Sequence, residues 1–201
     1  MYFNISKLKK IFKESWKSAY GLTVAHFSSG EYYIKGAGGA WKIKYNADCM
    51  PKEVKGALIE LIGDLPDEDI CVNAIEGEES QYEFIDTFSE IDSSFNYDKK
   101  SVTDYHCTPI YNTLHDLRYI RNIHKKEPVK AVPNRFVDVL SEKNLEELER
   151  YPYGPYRITT SPYFIFQNEK CTYLVYPAES GDNELESSIR CNLGEAFCSE
   201  E

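Results

Sequence analysis

No stretch of this 201-residue chain approaches the ~20 consecutive apolar residues that a membrane-spanning helix needs. Lys7, Lys9, Lys10 and Lys13 crowd the N-terminus, but the apolar run of a secretory signal does not follow them. Both absences lead us to expect a soluble, cytoplasmic protein. In that compartment the six cysteines are expected to be reduced thiols.

Chemical signatures are equally sparse. Cys49, Cys71, Cys107, Cys171, Cys191 and Cys198 form no C-x-x-C pair, so neither a zinc knuckle nor a dithiol redox site is signalled. His26, His106, His115 and His124 lack the i, i+4 spacing of a helical metal site. His106 and Cys107 are adjacent on an expected strand and so point to opposite faces, which stops them acting together as base and nucleophile. The glycines of Gly36-Ala37-Gly38-Gly39 lead into a strand, whereas a phosphate-binding loop opens a helix. Asp67-Glu68-Asp69 lacks the glycine and closing glutamate of a calcium loop. These residues give no catalytic group, metal or cofactor, and the expectation is a protein that is not an enzyme. A Cys/His site dispersed along the chain remains an alternative.

What the chain does contain is a core. Hydrophobic residues make up 42% and aromatics 14%, enough to pack one substantial domain or two small ones. The clearest stretch is Gly39 to Pro66. Trp41, Ile43 and Tyr45 alternate with Lys42 and Lys44, the period of a strand with one wet face. Pro51 suits a first helical turn, and Val54, Ala57, Leu58, Leu61 and Ile62 recur at helical spacing until Gly63 and Pro66 stop them.

That stretch, W-K-I followed by M-P-K-x-V-K-G-A-L-I-E-L-I-G-D-L-P at Met50 to Pro66, resembles uncharacterised small proteins from phages and mobile elements of Firmicutes. Small acidic proteins of that kind are similar in style to anti-defence proteins, anti-CRISPR inhibitors among them. The resemblance implies a bacterial host cytoplasm and a protein-binding role. It transfers no residue, because that group shares no motif.

In chain order, Ile5, Leu8, Ile11, Phe12, Trp16 and Ala19 predict a first helix over Ser6–Ala19, with five lysines on its other face. Strands are expected at 22–27, 31–35, 41–45, 69–75, 81–88, 102–111, 117–123, 129–132, 163–167 and 171–176, and loops at 93–101 and 151–155. Asn134 reads as the N-cap of a helix carrying Phe136, Val139 and Leu140, with Leu145 and Leu148 extending it. The tail after Pro177 is acidic and polar, the composition of a partly disordered end. The fold class is therefore α+β, mostly antiparallel sheets with three to four short helices. A helix–turn–hairpin order at 6–45 recurs at 134–176, which allows two similar α+β halves as in clamp-like folds. Lys125, Lys126 and Pro128 suggest a boundary between residues 1–127 and 128–201.

Charge is segregated along the chain. The formal total is −10, yet residues 1–60 carry +5, 61–100 carry −10, 101–135 carry +3 and 136–201 carry −8. The acidic block favours a basic protein partner over direct contact with nucleic acid or anionic membrane. The leading expectation is an interaction protein that blocks a nucleic-acid-handling partner, such as a CRISPR or other defence nuclease, by filling a groove meant for phosphates. Asp67, Glu68, Asp69, Glu76, Glu78 and Glu79 are the expected contacts. The alternative is a clamp-like nucleic-acid accessory module using Lys7, Lys9, Lys10, Lys13, Lys17, Lys42 and Lys44.

Overall fold

Among the described residues, alternating apolar residues and short turns build eleven strands, and these join edge to edge into one antiparallel sheet. The computed structural model describes residues 3–85, 95, 102–125, 127–141, 153–159, 161–178 and 184–196. The strands are β1 (Leu22–His26), β2 (Tyr32–Gly36), β3 (Trp41–Tyr45), β4 (Ile70–Ala74), β5 (Gln81–Phe84), β6 (Val102–Asn112), β7 (Leu117–Asn122), β8 (Lys130–Pro133), β9 (Tyr153–Ile158), β10 (Phe164–Gln167) and β11 (Cys171–Val175). The helices are α1 (Ile5–Trp16), α2 (Lys52–Ile62), α3 (Asn134–Val137) and α4 (Glu184–Ala196). The protein is α+β, as its patterning predicts.

The sheet order is β5-β4-β1-β2-β3-β11-β10-β9-β6-β7-β8. It contains one arrangement twice. Strands β1, β2 and β3 form a meander, α2 follows, and β4 and β5 return along the far side of β1. Strands β6, β7 and β8 form a second meander, α3 follows, and β9 and β10 return along the far side of β6. The two similar halves thus begin at β1 and β6, whereas the sequence echo began at the helices of 6–45 and 134–176. Strand β11 closes the seam by pairing with β3, from Cys171↔Tyr45 to Val175↔Trp41. The sheet runs across the 127/128 position through the β7–β8 pair.

Helices α1, α2 and α3 lie on one face, and the main core fills the space beneath them. Leu8, Ile11 and Phe12 of α1 and Val54, Ala57 and Leu58 of α2 meet Val24, Ile34, Trp41 and Ile43 of the sheet. Phe12 stacks on Trp41 with ring centroids 5.6 Å apart. Asn4 caps α1, its Oδ1 accepting from the Lys7 N–H at 3.2 Å. Gly63 ends α2 at φ 88, a conformation that costs glycine little. On the opposite face, Phe95 meets Tyr33 edge-on at 5.7 Å, and Ile189 and Leu193 of α4 pack on Tyr119, Val129 and Ala131.

Gly36 sets how closely α1 approaches β2. A Cβ there would collide with the Ser15 hydroxyl and the Trp41 ring, so only glycine lets both sit over the strand. We predict that Gly36→Ala lowers unfolding stability by about 1–3 kcal/mol through overpacking. Chemical denaturation would measure it, and an unchanged midpoint would show that the helix lifts off without cost.

Four local expectations change. Asn134 is not an N-cap; Pro133 holds that position, and the Asn134 Oδ1 accepts from Arg118 Nε at 2.9 Å instead. The helix it opens is a single turn, after which Leu140 bridges to Phe3. The 151–155 turn gives way to β9, which enters the sheet through Tyr153 with Gly154 at φ 110. The tail contains α4. Leu145, Leu148, Cys198 and the 93–101 loop apart from Phe95 lie outside the described residues.

Candidate nucleic-acid interface

The acidic residues singled out in the sequence separate into two groups. Asp67, Glu68 and Asp69 form the turn that enters β4, while Glu76, Glu78 and Glu79 follow its other end. A strand rises about 3.3 Å per residue, which puts roughly 20 Å between the groups. Contiguity in sequence becomes separation because β4 runs straight between them. Asp69 serves the turn itself: it sits at φ 59, and its Oδ1 accepts from the Ser28 N–H at 2.9 Å. Glu76 lies 3.2 Å from Lys17. Asp67, Glu68, Glu78 and Glu79 are exposed. No single acidic strip is formed by the six.

The lysines converge instead. Leu8, Ile11, Phe12 and Ser15 of α1 are buried, which turns Lys7, Lys10, Lys13 and Lys17 outward along one stripe. Ten residues at 1.5 Å each make that stripe about 15 Å long. Across α1, α2 and α3 there are seven cations, Lys7, Lys9, Lys10, Lys13, Lys52, Lys55 and Arg135, against Glu14, Glu53 and Glu60. The helix layer therefore carries +4 in a chain whose total is −10. Lys42 and Lys44 are on the opposite sheet face, because β3 alternates them with the buried Trp41, Ile43 and Tyr45. They do not belong to the stripe.

Neighbouring carboxylates partly satisfy this layer. Lys7 lies 2.6 Å from Asp138, Lys9 3.0 Å from Glu60, and Lys10 4.0 Å from Glu14. All these groups are substantially exposed, and such pairs contribute only about 0–1 kcal/mol each. They can exchange for phosphate at little cost. Lys10 is 77% exposed with its partner at the limit of ion pairing, and no carboxylate lies against Lys13 among the described residues. These two are the readiest cations of the stripe.

One more element joins this layer. Arg135 of α3 reaches Glu14 of α1 at 3.8 Å and Asp116, in the β6–β7 turn, at 2.6 Å. The backbone N–H of Asn134 donates to the Asp116 carbonyl, also at 2.6 Å. The tip of the β6–β7 hairpin is thereby fastened beside α1, which its sequence, 70 or more residues away, gave no sign of.

Burial pushes the Cys71 and Cys107 thiols up to about 12, so both are fully protonated at neutral pH. Among the described residues, no three His, Cys, Asp or Glu side chains gather as a metal site requires. A cleft of about 190 Å³ lined by Thr23, Lys35, Cys71, Asn73, Gln81 and Glu83 opens on the sheet face opposite α1. There the Thr23 hydroxyl donates to Asn73 Oδ1 at 3.0 Å. Alkylation of the native protein at pH 7 should label exposed Cys191 well ahead of Cys71 and Cys107. Equal labelling of Cys71 or Cys107, read by peptide mass spectrometry, would restore it as a candidate nucleophile.

No helix is long and apolar enough to cross a membrane among the described residues. No protein-family model matches the chain, and no curated protein does. Solved structures with a similar arrangement include the DNA polymerase III beta chain of Streptococcus pneumoniae, at 9% identity and TM-score 0.35, covering 92% of this chain and 66% of that one. A putative DNA polymerase III beta subunit of Eubacterium rectale shows 13% identity and TM-score 0.40, with 93% and 67% covered. The Helicobacter pylori beta clamp bound to a DNA ligase peptide shows 10% identity and TM-score 0.29, with 92% and 67% covered. The chain spans about two thirds of the length of these proteins. With identities of 13% or less and TM-scores of 0.40 or less among them, the function of this chain has to be drawn from its own surface.

Proposed function

We propose that this chain is a non-catalytic accessory module that lays its helix layer on the phosphate backbone of a nucleic-acid duplex. The carrying observation is the segregation of charge: a +4 helix layer on one face of a −10 chain, with Lys7, Lys10 and Lys13 of α1 and its C-cap Lys17 in one outward stripe. Lysines on a rigid helix contact phosphates as point charges and release counterions, which supplies affinity without reading sequence. Exposed carboxylates away from this face, Asp67, Glu68, Glu78 and Glu79 among the described residues, disfavour the duplex there. This is the clamp-like alternative of the sequence, restricted to the stripe and without Lys42 and Lys44.

The inhibitor reading draws less support. A carboxylate strip that fills a phosphate groove has to be continuous, and the six acidic residues sit at two ends of β4. An inhibitor would have to use one end at a time.

Competition between two unrelated duplexes of equal length tests the proposal. Backbone binding predicts equal displacement of a labelled duplex by either competitor at low salt. Strong preference for one sequence would contradict it, because no base-reading groups line α1.

A further inference from the structure

The β6–β7 hairpin ends in an apolar tip that the fold holds out and does not bury. Leu114 at the apex is 83% exposed, and Tyr111 beside it 51%. The turn is nevertheless tightly held. Asn112 Oδ1 accepts from the backbone N–H groups of Leu114 at 3.0 Å and His115 at 3.3 Å, and Asp116 is tied to Asn134 and Arg135. An apolar side chain on a preorganised apex is arranged for insertion, since little ordering cost remains when it meets a partner.

Register shows which face the tip serves. Tyr111 pairs with Arg118 across the hairpin, and the two share a sheet face. That face is the one covered by helices: Arg118 donates to Asn134 of α3, and Ile120, two residues on, belongs to the core beneath the helices. The Arg118 guanidinium lies 5.1 Å from the Tyr111 ring centroid and donates to the Thr108 carbonyl at 3.2 Å, which steadies the ring. The hairpin itself carries Arg118 and Arg121 against Asp104 and Asp116, so its net charge is zero. Asp116, the acid of the turn, is neutralised by Arg135.

We propose that this tip is an apolar wedge for nucleic-acid bases: Leu114 presses between base pairs of the duplex lying on the helix layer, and Tyr111 offers its ring to the unstacked base. The inference rests on the duplex-binding reading and adds a second contact to it. Continuity with the lysine stripe selects the occupant: a hairpin fastened to α1 through Glu14, Arg135 and Asp116 reaches the same duplex as α1. Apolar wedges flanked by basic side chains are an established way to unstack a base step from the minor groove. Aromatic rings beside them hold bases of any sequence.

The test uses the full-length protein and duplexes of about 20 base pairs carrying 2-aminopurine at successive positions, a length close to that of the smoothly bent sites for which bending costs are known. Wild type should raise the fluorescence of the probe at one region of the bound duplex. Leu114→Ser should abolish the rise and weaken binding about 10-fold while leaving the salt slope unchanged; Leu114→Met should retain the rise. Leu114 is exposed, so both variants keep the fold. Binding with a normal salt slope but no fluorescence change overturns the wedge alone. Absence of duplex binding overturns the function and the wedge together. Sedimentation with phosphatidylserine vesicles that Leu114→Ser abolishes, without any 2-aminopurine response, would assign the tip to a membrane surface and also overturn the proposal.

Discussion

Reversing the charge of Lys10 and Lys13 together should lower duplex affinity by on the order of 100-fold at about 50 mM salt, since each lost phosphate contact removes its share of counterion release. The slope of log affinity against log salt should become shallower by about 1.8, or 0.9 per contact. These two residues are chosen because α1 exposes both, Lys10 has its carboxylate partner only at 4.0 Å, and no carboxylate lies against Lys13 among the described residues. Lysine and glutamate have nearly equal helix propensity, so α1 should persist, and circular dichroism would check that. Lys42→Glu with Lys44→Glu supplies the control. Those side chains project from the other face of the sheet, and their reversal should change the slope far less. An equal loss from both pairs would mean that binding follows net charge alone, with no defined face.

Trp41→Ala should have the largest effect on stability, about 3–5 kcal/mol, the usual cost of emptying a large aromatic site. Its ring is fully buried and stacked on Phe12 of α1, and its strand carries the seam between the two halves through β11. For a chain of this size, that loss lowers the melting temperature by roughly 6–20 °C. Trp41→Phe should cost much less. Among the described residues no acceptor reaches the indole Nε1, so phenylalanine removes a buried donor that gains nothing. If the halves are one cooperative unit, Trp41→Ala shifts a single transition seen equally by tyrosine fluorescence and far-ultraviolet dichroism. Two separated transitions would show that the seam joins units that unfold independently.

Much of the first half was legible in the sequence because its local signals agree with the tertiary structure. Trp41, Ile43 and Tyr45 keep strict alternation in a sheet with one helix-covered face, and α2 shows its buried side at three- and four-residue spacing. The second half was less transparent. Gly154 and Pro155 look like a turn, yet β9 accommodates them in a pairing with β10 whose register shifts between Ile165 and Gln167. In α4, Ile189 and Leu193 pack on Tyr119, Val129 and Ala131, a contact too narrow to show through the polar residues around it. Asn134 has the chemistry of a helix cap, but Arg118 of the neighbouring strand takes its oxygen.

The site was legible only in part. A lysine-rich helix face is visible from periodicity alone, but its functional weight depends on what surrounds it, and that is set by topology. Helices α2 and α3 follow the third strand of their halves and α1 precedes the first, and these three share a face and pool their charge. The acidic block showed the opposite behaviour, since a five-residue strand divides it. The hairpin tip carried no sequence signal beyond exposed-looking apolar residues in a loop. Its bond to α3 through Asp116 and Arg135 is what gives it a direction.

The most direct test of the account is the salt dependence of duplex binding by the unaltered chain. Fluorescence anisotropy of one labelled duplex, followed between about 50 and 200 mM salt, yields the number of phosphates neutralised. Three to four contacts from the α1 stripe predict a slope of about −3 to −4, with saturable binding at the low end of that range. A slope near zero, or no binding at about 50 mM salt, would contradict the helix layer as a nucleic-acid interface.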